Sequence, residues 1–305
     1  MTWTAFFLIV TSATLHASWN LLAKKYHMTL PFYAVICGTA ALMWLHVQFW
    51  TPVPVWDMPW QFWASLTGSV CSDALLYCGA LVMVYRYMDM SSAYPMMRSL
   101  PLLLTVAVTA IFGMGKPLTV CGVCGIVLVF FGCMAMPLKK FSDFNWRNYL
   151  SKNMFWVLCA AMGTTGYTIF DSLSQSLMKN FIADAGIEVS KPVLSLSYYS
   201  TRGIVLTSTL MFLALATSRQ RKHFKEMWKE CKWAPFAAGA FASLTYVLVL
   251  MAMNYVDNVS YVQVFRQLGL LIGLLAGIFI LKEKGAYPKY AGCIMIVAGL
   301  ILSVL

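Results

Sequence analysis

Apolar runs of about twenty residues, parted by short polar or proline-bearing breaks, fill this chain from end to end. A helix crossing a bilayer needs roughly 20 predominantly apolar residues. By that measure ten spans are expected, at about 3–23, 30–50, 62–85, 91–113, 117–137, 153–177, 193–217, 233–255, 259–280 and 286–305. The breaks fall at Pro31, at the Pro52, Pro54 and Pro59 run, at Lys116-Pro117, in a polar linker 138–152, at Pro192, in a charged loop 218–232 and at Lys282-Glu283-Lys284. The pattern predicts an all-α polytopic membrane protein.

The chain also repeats itself. The stretch YMDMSSAYPMMRSLPLLLTVAVTAIF from Tyr87 is matched by YVDNVSYVQVFRQLGLLIGLLAGIFI from Tyr255. A shift of 168 residues superposes Tyr87 on Tyr255, Asp89 on Asp257, Ser92 on Ser260, Arg98 on Arg266, Pro101 on Gly269 and Lys116 on Lys284. After one residue drops out, Gly125 and Gly132 fall on Gly292 and Gly299. An arginine inside an apolar span is costly, so its recurrence in one register argues for a true repeat. A weaker match at a shift of 151 puts His16 on Tyr167, Trp19 on Phe170 and Asn20 on Asp171. Ten spans thus divide into repeats 1–137 and 153–305 joined by the basic linker 138–152. Five is odd, so the second repeat must enter the membrane from the opposite side. Such inverted repeats characterise secondary transporters.

Composition agrees with the pattern. The 305 residues are 60% hydrophobic and 11% charged, with a mean hydropathy of +0.72, whereas soluble proteins are about 25% charged. The net charge of +11 reads as basic loops facing an anionic leaflet rather than a nucleic-acid surface, since no basic soluble module carries it. Loops 1–2, 3–4, 5–6, 7–8 and 9–10 hold sixteen Lys and Arg residues and the opposite side three. That asymmetry predicts cytoplasmic basic loops and both termini outside. The start lacks the basic n-region of a cleavable signal peptide, and its apolar stretch runs to Lys24 and Lys25. Eight of nine cysteines fall within spans, only Cys231 in a loop. Cys121-x-x-Cys124 has no second pair and no nearby histidine, so neither metal nor cofactor is expected.

The candidate chemistry is sparse. Arg98 and Arg266 each lie about seven residues into a span, entering from opposite faces, so both approach the midplane. Two guanidiniums there suit a carboxylate or phosphonate; the alternative is that each caps loose carbonyls or pairs with a buried acid. Tyr94 shares the face of Arg98, and Gln263 that of Arg266. Pro95 and Pro101 free backbone carbonyls on span four, predicting an interrupted helix. Span three carries Ser65, Ser69, Asp73 and Tyr77 at helical spacing. Asp73 is read as a static partner of Arg202 or Arg98, a proton-coupling site or a substrate contact. Asp171, with Tyr167 and Gln175 on its face, is read the same way. His16, Trp19 and Asn20 form another polar face; His16 is read as structural or as a group titrating near neutral pH. Gly163-x-x-Gly166 and Gly273-x-x-x-Gly277 predict close helix packing.

The segments LHASWNLLAK (15–24), YRYMDMSSAYPMMRSLP (85–101) and VQVFRQLGLLIGLLAGIFILKE (262–283) resemble the EamA-like branch of the drug/metabolite transporter superfamily, over the whole chain. The residues concerned are His16, Ala17, Trp19, Asn20 and Lys24, then Asp89, Ser91, Tyr94, Pro95, Arg98 and Pro101. The resemblance implies a ten-helix carrier of the bacterial inner membrane, with a central cavity and alternating access, moving small metabolites, typically outward. Many relatives place their termini in the cytoplasm, opposite to the charge count. The relatives' Gly-Glu-Arg turn keeps its acid here at Glu283 but not at Gly115-Lys116.

The expectation is therefore a secondary transporter of a small organic solute bearing an anion, such as an amino acid, organic acid or phosphonate. Arg98, Arg266, Tyr94, Trp19, Asn20, Gln263 and Tyr167 would bind it. Asp73, Asp171, His16 and Arg202 would balance charge or carry a proton. Rival readings are a cation exporter using Asp73 and Asp171, a flippase for a lipid-linked head group and, least, a membrane-embedded enzyme. Membrane lipids are expected partners and nucleic acid is not; monomer and homodimer both stay open.

Overall fold

In the computed structural model, residues 2–25, 29–87, 90–136, 138–145, 154–269, 271–272 and 286–303 are described, the side chains of 17–25, 85–86 and 90–95 excepted. The helices are α1 (Trp3–Lys25), α2 (Leu30–Trp44), α3 (Trp60–Cys71), α4 (Gly79–Tyr87), α5 (Met90–Ile111), α6 (Val120–Ala135), α7 (Met154–Asp184), α8 (Lys191–Ala216), α9 (Ser218–Glu230), α10 (Ala234–Met253), α11 (Ser260–Phe265) and α12 (Tyr287–Leu302). No strand occurs among the described residues.

Local chemistry sets the starts. Pro31, Pro192, Pro235 and Pro288 sit in the first turns of α2, α8, α10 and α12, where the missing N–H costs nothing. Thr29 and Thr119 cap α2 and α6 by accepting hydrogen bonds from the Phe32 and Gly122 backbone N–H groups, at 3.4 and 2.9 Å. The stretches Leu30–Phe49, Trp60–Val84, Lys191–Ala216 and Ala234–Met253 are long and apolar enough to cross a membrane. Shorter apolar helical stretches run over Trp3–His16, Met96–Ile111, Val120–Ala135 and Tyr287–Leu302. Large apolar side chains face outward, among them Phe7, Phe112, Phe131, Phe155 and Phe212, as lipid requires and water does not. The chain is a polytopic helical membrane protein.

The main helix contacts pair α1 with α10, α3 and its continuation with α7, α2 with α8, and α6 with α12. Glycine makes the last of these close. A Cβ at Gly132 would lie 2.8 Å from the Gly292 carbonyl oxygen, and one at Gly299 2.5 Å from that of Gly125. Gly125 therefore meets Gly299, and Gly132 meets Gly292. In a membrane, where helices gain nothing from leaving water, such backbone approach supplies the packing.

Three expectations need correction. Span four is not interrupted: α5 runs unbroken through Pro95 and Pro101. The irregularities lie elsewhere, in a π-helical segment Ser72–Cys78 between α3 and α4 and at Arg266-Gln267, where α11 ends in a turn. Neither carries a proline, so neither had a sequence marker. Gly163 and Gly166 make room for the π segment: a Cβ at Gly163 would sit 2.5 Å from the Tyr77 nitrogen, and one at Gly166 2.5 Å from the Ser72 hydroxyl. Second, the charged loop 218–232 contains the helix α9, because Phe224 and Met227 give it an apolar side that packs on Phe32, Ile36 and Ala238. Third, span six is longer than expected: α7 continues to Asp184. The Gly273-x-x-x-Gly277 motif and Lys282-Glu283-Lys284 lie outside the described residues, as does the 146–152 part of the linker.

Candidate functional site

The polar stripe of span three meets α7 and α8 in a buried ionic cluster. Arg202 of α8 is 3% exposed. Its Nη2 donates to the Asp73 carboxylate at 2.8 Å and its Nε to Asp171 at 3.0 Å. Asp171 also accepts from the hydroxyls of Ser69, Tyr246 and, at 2.6 Å, Tyr198. The second Asp73 oxygen accepts from the Tyr33 hydroxyl at 2.8 Å. Ser69 accepts in turn from Arg202 Nε at 2.9 Å. Ser65 donates to the Phe170 carbonyl at 3.0 Å and accepts from Ser174 at 2.8 Å. Buried charge is tolerated only when it is paired and its lone pairs are satisfied, and both conditions hold here. With both acids ionised, the cluster carries one net negative charge.

One wall of this cluster opens on a cavity of about 100 Å³. Five tyrosines line it in an unbroken series of ring contacts. Tyr33 meets Tyr77 at 6.3 Å, Tyr77 meets Tyr167 and Tyr167 meets Tyr246 at 5.9 Å each, and Tyr246 meets Tyr199 at 6.1 Å. The Arg202 guanidinium lies over the rings of Tyr246 and Tyr167, 5.3 and 5.8 Å from their centres. Asp73, Arg202, Arg266, His16 and Thr245 add to the polar lining. Among the described residues no carboxylate lies within ion-pair distance of Arg266; it neighbours Tyr167 instead.

The remaining candidates fall at different distances from this cavity. Arg98 is not among the residues that line it. Its guanidinium packs 3.6 Å from the Cβ position of Gly269, one turn beyond Arg266, and both arginines act electrostatically on His16. Gln263 donates to the Thr168 hydroxyl at 2.5 Å, tying α11 to α7. Gln267, which the sequence did not single out, donates to the Arg98 carbonyl at 3.3 Å. Gln175 shares the helix of Asp171 but not its site: its side-chain oxygen accepts from Ser195 at 2.9 Å and from Asn254 at 2.8 Å. The side chains of Trp19, Asn20 and Tyr94 lie outside the described residues.

Sequence reasoning missed Tyr33, Tyr198, Tyr199 and Tyr246. For Tyr198 a signal existed, since it precedes Arg202 by four residues and must share its face. Tyr33 and Tyr246 are isolated tyrosines in apolar helices, and only the tertiary fold turns them inward. Among the described residues no group of three or more His, Cys, Asp or Glu side chains is placed to hold a metal.

A helical membrane protein with lipid-facing apolar flanks and a buried ionic cluster beside a polar cavity is the class these features define. Residues 187–305 match the EamA-like transporter family, consistent with the drug/metabolite transporter superfamily. A search among curated proteins found no significant match. A solved structure titled only "Crystal structure of protein" aligns over 99% of this chain and 98% of its own, with a TM-score of 0.65 at 14% identity. At that identity the likeness establishes a shared fold and nothing about substrate.

Proposed function

We propose that the chain is a secondary transporter, working outward by alternating access, for a small organic solute carrying an anionic group. Its ten spans form two inverted repeats, 1–137 and 153–305. The packing supports this division. If spans one to five correspond to six to ten, the α1–α10 contact exchanges with the contact between α7 and the α3 span. Likewise Gly125 against Gly299 exchanges with Gly132 against Gly292. A pseudo-two-fold axis in the membrane plane relates these pairs, and solute sites lie at such repeat interfaces.

The observation that carries the solute assignment is the contrast between the cavity's two arginines. Arg202 is neutralised by Asp73 and Asp171. Arg266 faces the cavity at a helix break with tyrosine beside it and no described carboxylate partner. A half-buried guanidinium in that position favours a carboxylate or phosphonate oxygen pair. In this reading Arg98 reinforces the positive pole, and Asp73, Asp171 and Arg202 set the opposite one. The five tyrosines favour a second reading, a cationic solute held against aromatic faces with Asp73 as counter-ion.

A ligand that binds the folded state stabilises it by about 2.7 kcal/mol at a hundred times its Kd. Purified protein melted with amino acids, organic acids, phosphonates and quaternary amines should be stabilised by the anions. Arg266→Ala should remove that shift, and Arg266→Lys should retain part of it. Anion stabilisation undiminished in Arg266→Ala would defeat the proposal. Stabilisation by quaternary amines alone, insensitive to Arg266, would establish the second reading.

A further inference from the structure

The helix α9 is the most basic element of the chain, and the transport reading leaves it without a role. One residue, Thr217, separates it from the membrane-spanning α8, and Cys231–Trp233 separate it from α10. It therefore lies at the membrane boundary. At 100° per residue, Arg221, Lys222, Lys225 and Lys229 fall within an arc of about 100°. All four are exposed. Trp228, 53% exposed, borders that arc on one side, and Glu226 and Glu230 border it on the other. Glu226 is held within the helix by Lys222 at 3.9 Å and His223 at 3.2 Å. The opposite face is fixed to the protein, with Met227 buried and Phe224 stacked on Trp228 at 6.2 Å. Trp233, 80% exposed, follows directly.

The geometry points to α9 as a docking surface for anionic phospholipid head groups. A basic stripe edged by tryptophan is how interfacial helices meet such lipids, cations at the phosphates and indole at the boundary with the acyl chains. Here the apolar face packs on protein, so the stripe keeps a fixed aim. It also rests against the cavity wall: Tyr33, Ile36, Tyr77 and Ala242 line the cavity and belong to the cluster that holds Met227.

The test uses the full chain in mixed micelles with brominated phosphatidylglycerol or brominated phosphatidylcholine. Eleven tryptophans make a difference measurement necessary, wild type minus Trp228→Phe. The Trp228 component should be quenched at a much lower mole fraction of the anionic lipid. Raising the salt should narrow that gap by screening. Changing Arg221, Lys222, Lys225 and Lys229 to Gln should weaken the anionic preference by about fivefold for each charge removed. That variant should keep its melting midpoint in phosphatidylcholine, which separates lost docking from lost fold. Equal quenching by the two lipids, or an unchanged preference in the four-fold variant, would overturn the assignment. So would competition by millimolar inorganic phosphate, which would mark a small-anion site instead of a membrane surface.

Discussion

Asp171→Leu should destabilise the protein by about 3–5 kcal/mol, the usual cost of removing one partner from a buried ion pair. The carboxylate is fully buried and is the meeting point of Ser69, Tyr198, Tyr246 and Arg202. Leucine would leave three hydroxyls short of an acceptor and Arg202 with Asp73 alone. Asp73→Asn should cost less. Asp73 accepts from Tyr33 and one Arg202 nitrogen, and asparagine keeps an oxygen for one of them while Asp171 still balances the charge. Asp171→Asn should fall between, because it preserves shape and one acceptor. Melting of purified protein in detergent measures the series. An Asp171→Leu midpoint within a degree of wild type, or a reversed order of Asp171→Leu and Asp73→Asn, would refute the view that this cluster holds α3, α7 and α8 together.

Gly132→Leu should be comparably damaging for a different reason. The new side chain would begin 2.8 Å from the Gly292 oxygen and 3.0 Å from the Ile296 nitrogen. Both are backbone atoms of α12 and cannot rotate away, so the helices must separate. Overpacking typically costs about 1–3 kcal/mol and more where backbone must move, and separation also forfeits the contact that holds these helices in lipid. Gly79→Ala is the matched control, since nothing lies within 4 Å of its Cβ position. It should be neutral or slightly stabilising through better helix propensity. The measurement is the melting midpoint with elution profile. If Gly132→Leu and Gly79→Ala behave alike, the α6–α12 contact is not the seam described here.

Much of the fold was legible because lipid is a demanding solvent. Every span must be apolar for about twenty residues, so the length of the runs alone marks the helices. The starts at Pro31, Pro192 and the Lys116-Pro117 break followed from proline chemistry. The span-three stripe was legible because Ser65, Ser69 and Asp73 recur at helical spacing and an intramembrane acid must face inward. The helix α9 was not. Its hydrophobic positions are few, and a segment dominated by charge reads as loop until its neighbours show what Phe224 and Met227 bury. The same limit hid the π segment, whose extra residue per turn is accommodated by Gly163 and Gly166 on another helix.

What the sequence determined by itself was therefore whatever the solvent imposes residue by residue: the helices, the rarity of their charges, and the recurrence of Arg98 as Arg266 and of Gly125 and Gly132 as Gly292 and Gly299. The tertiary structure alone decided which charges neutralise one another. An arginine within an apolar span has the same sequence signature whether it is neutralised by two acids, as Arg202 is, or turned toward a cavity, as Arg266 is. The difference lies in contacts across 129 and 31 residues of chain, which local periodicity does not encode. For the same reason the tyrosine wall emerged only when five separate helical segments came together. Direction along a helix is a local property, but what stands opposite depends on the neighbouring helices.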